Sequence, residues 1–573
     1  MKWLLMVLGL CLWQLQAFSL EREAFTFTNY DLNVRIEPEQ QRIGVRGTII
    51  LRNDSDSPQK HVSLQISSSL HWSAIAIGDK PVEFDAQTYT SDIDHTGALS
   101  EAIVTLPQEI FPKSSVELNV GYEGIIPLDA TRLRRIGVPK ELAPHDDWDE
   151  IGRSFTAVRG AGYVAWYPVA MEAASLSDGN AVFETVGKWK RRETAASMAI
   201  DLCLDADESK FISVMNDSSA PASSGNSAVS TTDCQEHRFS PMNLVSPGFG
   251  IGNYSVLGRK HLSVYFLPGH NSNAENYALA FDLAAPFVTG WFGTPRNKAK
   301  VIELADSQAS PYESGSVLFA PLTGNDSTKY GLVAVHQLTH AAFPSTRLWI
   351  YEGLAHFAQA AYIENNAGRQ KALDFMVTHR GSIAASEIAV VKGHDPHAAA
   401  AESLINTAIE EFYRSKAMYV WWMIRDMIGD KALTQALAQY RPDQDKEPSY
   451  MPRLIEGQSN RDLEWFFDDW VYRDRGLPDF RVESVYPRKM LKGVYLVTVT
   501  VENLGSAGAE VPVILRTEGA EISKRLVVRA KSKASIRIES ASIPKEAVVN
   551  DGSVPESDMT NNSYKIVLPT NQD

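Results

Sequence analysis

Apolar residues in this chain change their repeat twice, and each change separates segments that cannot share one kind of secondary structure. From Phe25 to about Leu267 they alternate with polar residues in short runs broken by turn formers, as in Tyr30 to Leu51, which reads as a hairpin. Ser63 to Ile77, Glu101 to Leu106 and Ser115 to Tyr122 continue that signal, and Ala181 to Asp201 with Phe211 to Met215 reads as a second β segment. A helical repeat takes over at Asn273 to Phe292 and again from Lys329, with a short helix at Lys371 to His379 and longer ones at Glu402 to Ile428 and Lys431 to Tyr440. After Pro478 the period returns to two, through Val482 to Tyr486, Gly493 to Glu502, Glu510 to Thr517, Lys524 to Ala530, Ala534 to Glu539 and Ser563 to Leu568. The pattern predicts a multidomain α+β protein: an N-terminal β domain over 20–267, a largely helical domain over 268–480 and a C-terminal β-sandwich over 481–573.

Composition narrows the use of such a chain. Of its 573 residues 44% are hydrophobic and 22% charged, globular proportions that allow several domains. Acidic residues outnumber basic ones by 70 to 55, a net charge of −15 that argues against nucleic acid as a partner. After the first 20 residues no uninterrupted apolar run reaches the ~18 residues that a membrane span needs, so no stable span is expected. Residues 1–19 read as a signal peptide: Met1-Lys2 is the positive start, Trp3 to Trp13 the apolar stretch, and Ala17-Phe18-Ser19 the small-x-small cleavage pattern. The expected destination is therefore the periplasm or the exterior. Once the leader is removed, Cys203 and Cys234 are the remaining cysteines, and in an oxidising compartment they most simply form one disulfide.

Chemistry concentrates between Gly331 and Glu364. His336 and His340 stand one helical turn apart, the spacing that puts two imidazoles on one face and suits two ligands of a single zinc ion. Glu352 opens a second helical pattern after a connection of eleven residues, 341–351, and its carboxylate would complete a His2Glu set with a fourth position left open. His356, one turn further, reads either as a replacement ligand or base or as a histidine packed in a helix.

These segments resemble the aminopeptidase N family of gluzincin zinc metallopeptidases. Its His-Glu-x-x-His motif corresponds to the degenerate His336-Gln337-Leu338-Thr339-His340, and its Trp-Leu-Asn-Glu-Gly-Phe-Ala segment to Trp349-Ile350-Tyr351-Glu352-Gly353-Leu354-Ala355. Tyr413-Arg414-Ser415-Lys416-Ala417 is similar to the family's Tyr-Glu-Lys-Gly, Asp462 to Phe480 resembles the end of its catalytic domain, and Trp166-Tyr167-Pro168-Val169 its upstream Trp-x-Pro. The resemblance implies a saddle-like N-terminal β domain, a thermolysin-like catalytic domain and a β-sandwich. It also implies zinc held by His336, His340 and Glu352, with Tyr413 stabilising an oxyanion. Tyr312-Glu313-Ser314-Gly315 stands near the place of the family's Gly-x-Met-Glu-Asn, which makes Glu313 the candidate for gripping a substrate's free amine; a solvent-facing loop carboxylate is the other reading.

Three departures bear on activity. The general-base Glu is Gln337, which can orient water but cannot accept its proton; a positioned base contributes roughly 10²- to 10⁴-fold. The connection before Glu352 is shorter than the family's and contains Pro344. Gln359 replaces the carboxylate expected to orient a histidine ligand, although an amide oxygen can also accept that hydrogen bond. Two readings follow: a secreted aminopeptidase-type zinc peptidase of weakened activity, or a catalytically inactive relative that binds peptide or protein partners in the cell envelope. The sequence does not fix an oligomeric state.

Overall fold

The computed structural model describes residues 20–205, 211–217, 234–323, 327–393, 403–473, 475–490 and 493–568. The proposed leader, residues 1–19, and most of the loop between the two cysteines lie outside that set. The chain divides into two compact units, Met1–Ser209 with Val229–Met242, and Lys210–Ala228 with Asn243–Asp573.

The first unit is built on two sheets. The larger has seven strands in the order Cys234–Phe239, Ser197–Leu204, Phe25–Glu37, Arg42–Asn53, Ser115–Ile125, Leu70–Ile77 and Lys80–Pro81. Phe25–Glu37 pairs parallel with Ser197–Leu204 and antiparallel with Arg42–Asn53, so the predicted hairpin is present. Alternation is visible in its burial: Leu32, Val34 and Ile36 are buried while Asp31, Asn33 and Arg35 are exposed. The smaller sheet orders Gln59–Ser67, Ala98–Ile110 and Phe84–Thr90. Cys203 faces Cys234 directly across two antiparallel strands, and the two form a disulfide.

One expectation fails here. Ala181–Glu193 is a helix, and the strand begins only at Ser197. Its buried residues Val182, Val186 and Trp189 recur at four and three positions, the period of a helix face. The basic run 188–192 therefore lies on a helix: Trp189 is buried, and the Arg192 guanidinium donates to Ala170 O at 2.8 Å.

The second unit carries a mixed sheet that period alone did not reveal. Its five strands are ordered Ser255–Gly258, Leu262–Phe266, Ala299–Glu303, Val317–Ala320 and Tyr312–Ser314. The middle three run parallel, joined between Leu262–Phe266 and Ala299–Glu303 by the crossover helix Asn271–Phe292. Ala299–Glu303 is buried at every position, so it has no polar alternation to read. The helices Ser327–Ala342, Leu348–Ala367, Arg369–Gly393, Ala417–Ile428, Asp430–Gln439 and Tyr450–Ser459 follow. Two helices differ in extent from the sequence reading: the one expected at 371–379 runs to Gly393, and the one expected from Glu402 begins as a π-turn at Glu411–Lys416. The last residues form two sheets. Phe480–Lys489, Tyr495–Asn503 and Ser532–Ser540 make one; Glu521–Val528, Ala509–Thr517, Pro544–Val549 and Ser563–Lys565 make the other. Val497, Val499 and Ile538 of the first, and Val511, Val513 and Leu515 of the second, share one apolar cluster with Trp349, Phe357, Trp421 and Trp422 of the helices. Among the described residues no helix is long and apolar enough to cross a membrane.

Candidate metal centre

Helix Ser327–Ala342 buries Ala334, Val335, Leu338 and Ala342 in a cluster with Val301 and Leu318 of the mixed sheet. His336 and His340 project from another side of the same helix, and their Nε2 atoms lie 3.0 Å apart. The short connection to the next helix is firmly pinned. Ser345 Oγ accepts from Arg347 N at 3.1 Å and lies 3.0 Å from the Tyr440 hydroxyl, while Arg347 Nε donates to Asp445 Oδ1 at 2.7 Å. Pro344 thus sits in a compact turn, and helix Leu348–Ala367 starts soon enough to aim Glu352 back at the histidines. Glu352 Oε1 is 3.7 Å from His340 Nε2, and Oε2 is 3.8 Å from His336 Nε2.

Packing fixes that second helix. Trp349 stacks on Trp421 with ring centroids 5.0 Å apart, and the Trp421 indole nitrogen donates to Trp349 O at 3.0 Å. Gly353 leaves room for the neighbouring helix, since a Cβ there would come within 2.7 Å of Ala417 Cβ. Glu352, His356 and Gln359 follow at i, i+4 and i+7 on one face. Gln359 Nε2 donates to Leu332 O at 3.1 Å, and the same side chain is hydrogen-bonded to His336, so its carbonyl oxygen serves as the imidazole's partner.

Four further groups complete the surroundings. Glu313, on the edge strand Tyr312–Ser314, places Oε2 3.4 Å from His336 Nε2. The Arg414 Nε donates to Glu352 Oε2 at 3.1 Å, and the same guanidinium pairs with Glu410. Gln337 is fully buried, and neither its amide oxygen nor its nitrogen has a hydrogen-bond partner among the described residues. Tyr413 is half-buried beside Arg414 on the π-turn, a local widening of the helix that is frequent at functional sites.

Burial sets the charge states. It pushes His336 well below its ordinary range, with the neighbouring His340 and His356 adding to the effect, and takes His340 down to about 4 and His356 to about 3. All three imidazoles are therefore neutral near pH 7 and offer lone pairs. Burial and the charge of Glu352 raise the Glu313 carboxyl to about 8, against the pull of Arg414. Burial works against the Arg414 cation, yet Glu352 and Glu410 hold it above its ordinary value. Burial also raises Tyr413, which keeps its hydroxyl protonated as a donor.

The donor set suits a small dication. A tetrahedral zinc with bonds near 2.0–2.1 Å separates its ligand atoms by about 3.3 Å; the two imidazole nitrogens are 3.0 Å apart, and each lies 3.7–3.8 Å from a different oxygen of Glu352. With one ligand atom taken from each residue, the donor atoms of His336, Glu352 and His356 lie within 4.8 Å of one another. Sequence reasoning brought His336, His340 and Glu352 to one place and foresaw Gln359 as a partner. It missed the pairing of Arg414 with Glu352, whose 62-residue separation leaves no local signal; Glu313, read either as a grip for a substrate amine or as a solvent-facing carboxylate, lies beside His336.

No protein-family model matches the sequence, and no curated protein matches it. Among solved structures, the chain is similar to an M1 zinc metallopeptidase from Deinococcus radiodurans at 15% identity and a TM-score of 0.47, covering 80% of this chain and 96% of that one. A point mutant of an M1 zinc metallopeptidase from the same organism gives 14% and 0.46, over 80% of this chain and 96% of that one. A two-domain M1 zinc metallopeptidase mutant bound to L-tryptophan gives 15% and 0.45 over the same shares.

Proposed function

We propose that this chain is a secreted, zinc-binding protein of the aminopeptidase-type metallopeptidase class that engages peptides, with peptide-bond hydrolysis weakened by Gln337. The observation that carries the proposal is the convergence of two imidazole nitrogens 3.0 Å apart, on His336 and His340, with a Glu352 carboxylate whose Oε1 lies 3.7 Å from the second and whose Oε2 lies 3.8 Å from the first. Zinc, when bound there, supplies a Lewis acid for a carbonyl and lowers the pKa of water toward neutrality. Gln337 orients water through its amide but takes no proton from it. Tyr413 is the hydroxyl donor for a carbonyl oxygen as charge develops on it. Glu313 is the carboxylate available to a peptide α-amino group when its side chain leaves His336. The leader-like start and the Cys203–Cys234 disulfide support a site of action outside the cytoplasm.

Elemental analysis with an assay of amino-acid amide release tests this. One zinc per chain is expected, lost in His336→Ala, with slow chelator-sensitive turnover that rises in Gln337→Glu by up to about 10²- to 10⁴-fold. A chain that holds no zinc would sink the proposal. A second reading, a non-catalytic peptide- or protein-binding relative, is favoured by Gln337 itself; zinc bound at full stoichiometry with no turnover in either protein selects it.

A further inference from the structure

Glu313 is mounted more rigidly than a loop carboxylate needs to be. Its strand pairs antiparallel with Val317–Ala320 through a two-residue turn whose first position, Gly315, has φ +60°. A side chain at Gly315 would meet the Tyr351 hydroxyl at 3.0 Å and Val245 Cγ2 at 3.1 Å. Tyr351 in turn lies against the His340 ring, with centroids 3.9 Å apart. From the other side, Asn216 Nδ2 donates to Ser314 Oγ at 2.9 Å and to Ser246 O at 2.7 Å, while Asn216 Oδ1 accepts from Gly248 N at 2.8 Å. The hairpin is thus held at its tip by a residue that also touches His340, and at its flank by a fully bonded amide.

This mount delivers Glu313 Oε2 to within 3.4 Å of His336 Nε2, which is the ligand-to-ligand edge of a tetrahedral zinc site, about 3.3 Å. The other oxygen, Oε1, is buried without a hydrogen-bond partner among the described residues, a polar atom that a bound metal beside it would answer. In this position Glu313 faces His336, and it could take a peptide amine only after leaving that contact. Sites with four protein ligands are closed and structural in type, whereas catalytic sites keep one position open.

We propose that Glu313 is the fourth ligand of the metal, so that His336, His340, Glu352 and Glu313 close the centre and leave no position for water or a peptide carbonyl in the resting protein. This rests on the reading that the first three residues hold zinc. It adds to the loss of the base at Gln337 a second, independent reason for low turnover.

Cobalt(II) substitution with zinc competition tests it on the full chain. The native cobalt protein is expected to keep its visible absorption band unchanged through titration with azide, and Glu313→Ala to shift saturably as the vacated position takes the anion. Partners that only orient a ligand are worth about 10- to 100-fold in metal affinity, so losing a direct ligand should raise the zinc dissociation constant by at least that factor in both Glu313→Ala and Glu313→Gln. His356→Ala should leave it unchanged, and near-ultraviolet circular dichroism of each apo variant reports on folding. Native zinc affinity in Glu313→Ala, an azide response in the native cobalt protein, or loss of affinity in His356→Ala alone would each overturn the assignment. A chain that takes up neither metal would remove the three-ligand reading and this one together, whereas metal bound at native strength without Glu313 removes only this one.

Discussion

Glu352 divides its oxygens between two cation sites: Oε2 accepts from Arg414 Nε at 3.1 Å, while Oε1 lies 3.7 Å from His340 Nε2. Arg414 therefore does two opposed things. Its hydrogen bond fixes the carboxylate's rotamer, and its charge repels any dication placed beside the histidines. Glu410 shares the guanidinium and compensates only part of that repulsion. Arg414→Gln retains a donor for Glu352 and removes the charge. Zinc affinity, read by competition with a chromophoric chelator, is expected to rise by about tenfold or more, roughly 1.4 kcal/mol. The apo protein should meanwhile lose about 1–3 kcal/mol in denaturant unfolding, because Glu352 and Glu410 are left without their cation; the side chain is about one-third exposed, which limits the loss. Movement of both quantities in the same direction would contradict this account.

Gly353 places the second ligand-bearing helix against Ala417 and Trp421, where an added methyl would meet Ala417 Cβ at 2.7 Å and the indole ring at 3.1 Å. Neither neighbour is the free end of a flexible chain, so the helix must shift. Gly353→Ala is expected to cost about 1–3 kcal/mol as an overpacked core, and to weaken zinc binding because the displaced residue follows Glu352 directly. Wild-type melting temperature together with wild-type zinc affinity would show that the close approach does not set the ligand's position.

How much of this was legible in the sequence depended on the range of the interaction involved. The meeting of His336 with His340 is a property of helical spacing, and Trp349 to Gly353 announces a helix that packs closely. The β character of residues 25–125 and 480–540 showed through because half of each strand faces solvent. Ala299–Glu303 was silent, since burial on both faces erases alternation. Ala181–Glu193 misled because its apolar positions, few and interleaved with charge, fit a strand nearly as well as a helix. The place of Glu313 and of Arg414 was beyond reach: one depends on a hairpin tip held by Tyr351 and Asn216, the other on a π-turn, and neither contact is local in the chain.

The disulfide joins directly opposed residues of neighbouring strands and closes a loop with a sequence separation of 31. In the chain-entropy treatment a loop of that size contributes about 3–4 kcal/mol, chiefly by restricting the unfolded chain. Cys234 is exposed and Cys203 half-buried, so reductant reaches the bond without unfolding. Reduction, or Cys203→Ser combined with Cys234→Ser, is expected to lower the free energy of urea unfolding of the first unit by that amount and leave zinc affinity unchanged, since every metal-site residue belongs to the second unit. A fall in zinc affinity on reduction would tie the bond to the site and contradict this separation.

Glu193 gives the first unit a pH dependence opposite to that of most carboxylates. It is 1% exposed, and burial raises its pKa to about 8, offset only in part by Arg192, whose Nε lies 3.2 Å from Oε1. Oε2 is buried without a hydrogen-bond partner among the described residues. Between about pH 4.5 and 8 the unfolded chain has released this proton and the folded one retains it. Stability therefore falls as pH rises through that window, by up to about 1.4 kcal/mol per pH unit and on the order of 4 kcal/mol in all. Below pH 4.5 the contribution is fully present; above pH 8 it is lost. Glu193→Gln keeps the shape and removes the titration, so the variant should match the wild type near pH 4.5 and exceed it by that margin near pH 8.5. Chemical denaturation at both pH values checks it, and a difference between the two proteins that does not grow with pH would show that Glu193 is ionised in the folded chain, with Arg192 as its counter-charge.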